Sequence, residues 1–423
     1  MNSGHAETPL PRVVVVGAGF AGLAAARGLD GCTVRVAIVD RRNFHLFQPL
    51  LYQVATAALN PSDIAFPIRT VFRGQPNVEW ILLGEVESVD AVGRTVRLDG
   101  GERLEYDVLV LAPGAGHAYF GHDEWAEHAP GLKTVEDALV IRRRVLEAFE
   151  LAERRSSPAE GDLTFVVIGG GPTGVELAGA VAEIAVHALE QEFDRIDPAT
   201  AEVILIEAGD RVLPAYPPRL SASARGQLEE LGVEVVTGVS VRSVDGSGVE
   251  LSDGRRISAA TILWAAGIRA APLLATLGGE VDGAGRVRVA SDLSLPGHPE
   301  VFVVGDGALV IDGRGRQVPG VAPAAIQQGR HVARQIRADL AGRPRTPFRY
   351  RNKGMLATIG RARAVAALPG LRFSGLPAWL AWMAVHIYFL IGVRNRLLVF
   401  VSWAWNYLTF RRGARIITEI EGR

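Results

Sequence analysis

The chain has 423 residues, 48% of them hydrophobic and 22% charged; that supports roughly three packed domains and excludes a disordered or low-complexity protein. Its 48 glycines follow no Gly-X-Y period, and its one cysteine, Cys32, excludes a disulfide framework, a CxxC redox pair and a cysteine-based zinc centre. The net charge of −1 hides a division: residues 341–423 carry 14 basic and 2 acidic side chains, net +12, whereas residues 1–340 carry 31 and 44, net −13.

Residues 1–11 lack the basic start and small-residue cleavage site of a signal peptide, so the body is expected to stay in the cytoplasm. A buried strand over Arg12–Val16 runs through Gly17-Ala-Gly19-Phe-Ala-Gly22 into a helix from Phe20. The three glycines allow a tight turn, close backbone approach to a pyrophosphate, and close packing of helix on strand. The free N–H groups of the helix start then face the phosphates. A second strand, Val34–Val39, ends in Asp40, 18 residues after Gly22, where a carboxylate meets a ribose 2′-OH. A lone fingerprint of this kind is weak, since Gly-rich turns imitate it. Strand, helix and acid together make it specific.

The pattern returns. Strand Leu163–Ile168 leads into Gly169-Gly-Gly171-Pro-Thr-Gly174, and strand Glu202–Ile206 ends in Glu207. This carboxylate comes 33 residues after Gly174; a long helix through Glu176–Phe193 and an extra loop at Asp194–Ala201 account for the delay. Glu207 accepts a hydrogen bond from a 2′-OH and repels a 2′-phosphate, and no arginine follows it immediately, which favours NADH over NADPH. A solvated strand end is its bland reading.

The segments that follow also match. Val78 through Asp90 parallels Val233 through Asp245, Thr95–Leu98 parallels Gly248–Leu251, and the strands closing at Gly114 and Gly267 correspond, with an offset near 153–155. This is a duplicated Rossmann-plus-meander unit. The expected fold is α/β, with two nested Rossmann-like, three-layer ββα dinucleotide-binding domains and a C-terminal amphipathic helical membrane anchor. A third strand, within Glu300–Ala308, carries Gly305-Asp306-Gly307, placed to bind the ribityl or pyrophosphate end of a flavin. Pro323 onward begins a helix that returns to the first nucleotide domain.

The tail holds four of the seven tryptophans, Trp379, Trp382, Trp403 and Trp405. Leu376–Val393 is an apolar run broken only by His386; as one helix it reaches about 27 Å, short of the ~30 Å hydrocarbon core. Leu397–Phe410 carries a polar stripe at Asn395, Ser402, Asn406 and Thr409, closed by Arg411-Arg412. An in-plane anchor over residues 376–412 on an anionic lipid surface is expected. A buried dimer interface is the alternative.

With these pieces in order, the sequence resembles the two-dinucleotide-binding-domain flavoproteins, and more narrowly the type II NADH dehydrogenases, single-subunit NADH:quinone oxidoreductases. The resemblance runs from about Arg12 to Ile417. Its specific stretches are Phe44–Gln53, Ile64–Arg69, Gly171–Gly179, Ala325–Gly329, Lys353-Gly-Met and Arg394-Asn-Arg396. It implies FAD bound by residues 1–118 and 290–345, NADH bound by 119–289, and a quinone site with the anchor in 346–423. It also implies a homodimer on the cytoplasmic face of the cell membrane, peripheral and monotopic, with no proton pump, no metal and no nucleic-acid partner.

By the same resemblance Glu176 reaches toward flavin and nicotinamide as a clamp or proton-relay residue; its bland reading is a charge complementing the helix dipole. Gln327 and Gln328 offer amide hydrogen bonds to quinone carbonyls without burying charge, unless they are ordinary surface glutamines. Lys353 is one of two lysines against 43 arginines and can supply a proton, which arginine does less readily; it is otherwise a plain basic residue. Asn352 stands where relatives often carry Asp. Gln48 and Tyr52 complete the expected quinone site, while Phe44, Phe47 and Leu50–Leu51 rank as lining or core. A ferredoxin or sulfide:quinone type of acceptor chemistry, and an NADH-binding flavoprotein of the apoptosis-inducing-factor kind, are the alternatives; the lone Cys32 weighs against disulfide and sulfur chemistry.

Overall fold

The computed structural model describes residues 10–155, 159–189, 192–409 and 413–417. By density of internal contacts it divides into two units. One comprises Met1–Leu46, Phe66–Gly116 and Ile268–Asn352; the other comprises Phe47–Ala65, His117–Gly267 and Lys353–Arg423.

The first unit is built on a six-stranded sheet. Its order is Ser294–Leu295, His298–Val303, Val108–Leu111, Arg12–Val16, Arg35–Asp40, Val78–Leu83. The Arg12–Val16 strand is central and parallel to both neighbours, with Val13 opposite Val36 and Val108. Its valines are fully buried, as a strand covered on both faces requires. Helix Phe20–Gly28 packs against helix Ala322–Leu340 through small residues: a Cβ on Gly329 would fall 2.1 Å from the Ala21 carbonyl oxygen.

The second unit repeats the plan with a four-stranded parallel sheet, ordered Val233–Thr237, Glu202–Glu207, Thr164–Ile168, Thr261–Trp264. The two meanders share a register. Val86, Ser88, Val89 and Asp90 face Leu98, Arg97, Val96 and Thr95, while Val241, Ser243, Val244 and Asp245 face Leu251, Glu250, Val249 and Gly248. Each pairing slips at the same point, after Val86 and after Val241. A shared irregularity is stronger evidence of duplication than shared regularity, because a bulge is a specific local feature.

The second unit also holds an antiparallel sheet of Met355–Gly360, Arg363–Leu368 and Leu371–Ser374. Helix Pro172–Glu183 lies directly on its first strand; a Cβ on Gly179 would meet the Ile359 carbonyl oxygen at 1.7 Å. Helices Leu376–Phe389 and Val393–Thr409 follow. The second is tied down by Asn395 Nδ2 donating to the Ser62 carbonyl (3.3 Å) and Asn406 Nδ2 to that of Ala58 (3.2 Å).

Two element boundaries differ from expectation. The α-helix expected through Phe193 ends at Glu183 and passes into a π-turn over Ile184–Ala188. The apolar run from Leu376 is not one helix to Val393: it stops at Phe389, and Gly392 turns the chain at φ +86° before the next helix begins at Val393. Hydrophobicity continues unbroken through Leu390-Ile391, so only Gly392 marks the break. Fourteen residues reach about 21 Å. Among the described residues no helix is long and apolar enough to cross a membrane. Arg411 and Arg412 lie outside the described residues.

Candidate functional site

The first fingerprint forms a cradle. Gly17 has φ +91°, and a Cβ there would fall 2.2 Å from the Ala112 carbonyl oxygen; one on Gly22 would fall 1.8 Å from that of Gly17. Only glycine fits either position. Gly19 instead faces open space, where a phosphate can approach the helix start. Asp40 holds the loop: its Oδ2 accepts from the Ala18 amide at 2.6 Å and its Oδ1 from that of Arg42 at 2.8 Å. Buried His45 binds the Ala18 carbonyl through Nδ1 at 2.9 Å, and burial lowers its pKa, so it stays neutral. Nothing in the sequence singled out His45.

Asp306 sits in a single 3₁₀ turn, Gly305–Gly307. The Gly305 amide donates to Gln328 Oε1 at 2.6 Å, and a Cβ on Gly305 would lie 3.5 Å from Ala21. The turn is therefore beside the fingerprint helix, with open space above Gly114, which has φ +75°. Gln327 closes a two-bond ring with Arg351: its Nε2 donates to the Arg351 carbonyl and its Oε1 accepts from the Arg351 amide, both at 3.0 Å.

The second fingerprint reproduces the cradle in the second unit. Gly169 has φ +111°, and its Cβ would lie 2.7 Å from the Ala265 carbonyl; that of Gly174 would lie 1.8 Å from the Gly169 oxygen. Gly171 faces open space. Glu207 matches Asp40: Oε2 accepts from the Gly170 amide at 2.6 Å and Oε1 from that of Gly209 at 2.7 Å. Above Gly267, unlike Gly114, lies a side chain, Phe120.

A cavity of about 120 Å³ also lies within the second unit, lined among others by Tyr52, Gln53, Glu176, Thr358, Trp382 and Trp403. Glu176 reaches it from the second turn of the Pro172–Glu183 helix. Burial pushes its pKa up to about 8, against a backbone hydrogen bond from Thr358 that favours the anion. Tyr216 is also shifted upward, by burial first and then by the Glu176 charge. A polar chain crosses the apolar wall: Trp403 Nε1 donates to Gln53 Oε1 at 2.6 Å, and Gln53 Nε2 to the Tyr52 hydroxyl at 2.8 Å. His386 stacks on Trp382 with ring centroids 4.2 Å apart and donates through Nδ1 to the Trp382 carbonyl. Burial lowers its pKa to about 4, so it carries no charge at neutral pH.

Of the expected quinone-site residues this cavity holds Tyr52, and beside it Glu176, which was expected to reach toward flavin and nicotinamide. Lys353 and Gln48 are not among its lining residues. Lys353 Nζ lies 6.0 Å over the Phe389 ring, and Gln48 is exposed and donates to the Lys133 carbonyl at 3.2 Å. Gln327 and Gln328 belong to the first unit. Thr358 carries no signal in the sequence; Gln53 shows there only as the end of the Phe44–Gln53 stretch, His386 only as the break in an apolar run, and Trp382 and Trp403 only as part of a tryptophan-rich tail.

Two glycine cradles, each at the carboxyl end of a central parallel strand with a carboxylate on the next strand, define a protein that binds two dinucleotides. The family model described as pyridine nucleotide-disulphide oxidoreductase matches residues 11–329, and that of the NDH2 C-terminal domain matches 352–412. The type II NADH:quinone oxidoreductase Ndh of Mycobacterium tuberculosis is 45% identical over 96% of this chain and 90% of its own length; NdhA of the same organism is 44% identical over 96% and 89%. The structure of NDH2 from Plasmodium falciparum in complex with NADH superposes with a TM-score of 0.86, covering 97% of this chain and all of that one at 19% identity, a likeness of fold. The chain belongs to the pyridine nucleotide-disulphide oxidoreductase family, in its type II NADH:quinone oxidoreductase branch.

Proposed function

We propose that the chain is a non-proton-pumping oxidoreductase that passes two electrons from NADH through FAD to a membrane quinone. The observation that carries this reading is the cavity that Glu176 shares with Tyr52, Trp382 and Trp403, in a chain that also holds two dinucleotide cradles. FAD, when bound, supplies the two-electron relay. Residues 1–118 and 290–345 hold it: Gly17, Gly19 and Gly22 admit its pyrophosphate, Asp40 binds the ribose, and Gly114 and Asp306 complete the groove. Residues 119–289 hold NADH through Gly169, Gly171, Gly174, Glu207 and Gly267.

Reducing a quinone to a quinol requires two protons. A carboxyl that keeps its proton up to about pH 8 can donate one at neutral pH, and Glu176 is such a group. Trp382 and Trp403 form an aromatic wall, and Tyr52 offers a hydroxyl to a quinone carbonyl. Similarity to the family also assigns contacts with quinone to Lys353, Gln327, Gln328 and Gln48. Residues 346–423 form the quinone-site and anchor region.

The anchor rests on the exposed face of the last two helices. Leu380, Tyr388, Val393, Leu397, Val401 and Trp405 are all at least half exposed, with Arg394 among them. A continuous apolar surface of this kind marks a membrane or partner surface, and a basic tail favours anionic lipid. We place the protein as a homodimer on the cytoplasmic face of the cell membrane.

The test is anaerobic. The full chain, purified in detergent, is given NADH and then a quinone. The flavin band should bleach and then return rapidly. A flavin left oxidised by NADH, or not reoxidised by quinone, refutes the reading. A chain truncated at Pro369 should leave the membrane in a carbonate wash that retains the full-length protein. Equal behaviour of the two refutes the anchor.

A further inference from the structure

Phe120 is a large apolar side chain held in water. It is 67% exposed and has φ +54°, a left-handed conformation that L side chains avoid. It occupies the first central position of a turn in which the His122 amide donates to the Tyr119 carbonyl at 3.1 Å and Gly121 has φ +96°. Positive φ at both central residues is the mirror-image turn, whose first centre favours Asn, Asp or Gly.

The surroundings impose that conformation. The Tyr119 hydroxyl donates to the Ala129 carbonyl at 2.8 Å, and its ring lies 4.9 Å from Trp264. Trp264 Nε1 donates to the Ala118 carbonyl at 3.1 Å, and His122 stacks on Trp125. These contacts bury Tyr119 and hold His122, itself exposed, against the Trp125 ring. They leave the Phe120 ring outside the core. A strained residue that neighbours hold in place, with an exposed aromatic ring, invites a functional explanation.

The ring lies over Gly267. A Cβ on that glycine would meet Phe120 Cζ at 2.5 Å, whereas the corresponding Gly114 of the first cradle has nothing within 4 Å. Gly267 directly follows Ala265 and Ala266, whose backbone the fingerprint Gly169 touches. Sheet order then fixes which half of a dinucleotide passes there. The pyrophosphate sits at the fingerprint after Thr164–Ile168, and the adenosine ribose lies on the side of strand Glu202–Glu207, at Glu207. The other half turns toward strand Thr261–Trp264, which leads through Ala265 and Ala266 to Gly267.

We propose that Phe120 stacks on the nicotinamide half of bound NADH and so positions that substrate. The inference rests on the assignment of residues 119–289 to NADH. It explains why an exposed aromatic is kept at a turn position that favours glycine.

The test uses the full-length, FAD-loaded protein and the variants F120A, F120W and F120G. The KM for NADH is measured in turnover, and the Kd for NAD⁺ with the oxidised enzyme. Loss of one aromatic stack should raise both about tenfold in F120A and F120G, with the quinone KM unchanged. F120W should stay near the wild type. F120G should also raise the melting temperature of the nucleotide-free protein, because glycine relieves the strain. NADH KM and NAD⁺ Kd within twofold of wild type in F120A overturn the contact, as does equal loss of binding in F120W. Wild-type protein that binds NADH but passes no electrons to quinone refutes the proposed function and leaves the contact standing.

Discussion

Replacing Glu176 by glutamine keeps the shape of the side chain and removes its titration. In the unfolded chain this carboxyl loses its proton near the ordinary 4.5; in the folded protein burial holds the proton up to about 8. Between those values the native state binds more protons than the unfolded state. Wild-type stability therefore falls as pH rises through this window, and the effect is flat below and above it. At about 1.4 kcal/mol per pH unit the full window corresponds to roughly 5 kcal/mol. The carboxyl is partly open to the cavity, and screening there reduces the expected loss to about 2–3 kcal/mol. Denaturant unfolding of FAD-loaded wild type and E176Q at pH 5, 7 and 9 measures it. The two should be nearly equal in stability at pH 5, and the variant more stable by about 2–3 kcal/mol at pH 9. The same variant should reduce quinone more slowly, because an amide cannot hand over a proton. A stability difference that stays constant from pH 5 to pH 9 would show that the carboxyl is not desolvated, and the proton-donor argument would fall with it.

Two further predictions concern the second unit. Trp403→Phe keeps the ring but leaves Gln53 Oε1 buried without its 2.6 Å donor, so it should cost about 1–3 kcal/mol in denaturant unfolding; a loss below half a kcal/mol would mean that water replaces the indole. Glu207→Gln removes the charge that repels a 2′-phosphate while keeping one acceptor for the Gly170 and Gly209 amides. The ratio of kcat/KM for NADPH to that for NADH should rise about tenfold, equivalent to ~1.4 kcal/mol, and an unchanged ratio would place the discrimination elsewhere.

Much of the fold could be read in the chain because its signals are local. The glycines of both fingerprints, the strands before them, and Asp40 and Glu207 on the following strands lie where backbone sterics require. The matching bulges of the two meanders bear out the duplication. The end of the Pro172–Glu183 helix and the break at Gly392 were not legible. The π-turn at Ile184–Ala188 leaves no sequence mark, and apolar residues run straight across the second boundary.

The sequence by itself determined the two nucleotide cradles, the poverty in cysteine and the split between an acidic body and a basic tail. Glycine tolerance, thiol count and charge are properties of residues, so they survive without coordinates. Tertiary structure alone decided which side chains share a cavity. It joined Tyr52 and Gln53 from one short helix, Glu176 from a second and Trp403 from near the C-terminus, and left Lys353 and Gln48 outside its lining. It alone turned Glu176 from a helix-start acid into a carboxyl protonated at neutral pH, because desolvation depends on what surrounds a group and not on its neighbours in sequence. And it alone put Phe120 over Gly267, two residues 147 positions apart, which no period or spacing in the chain could reveal.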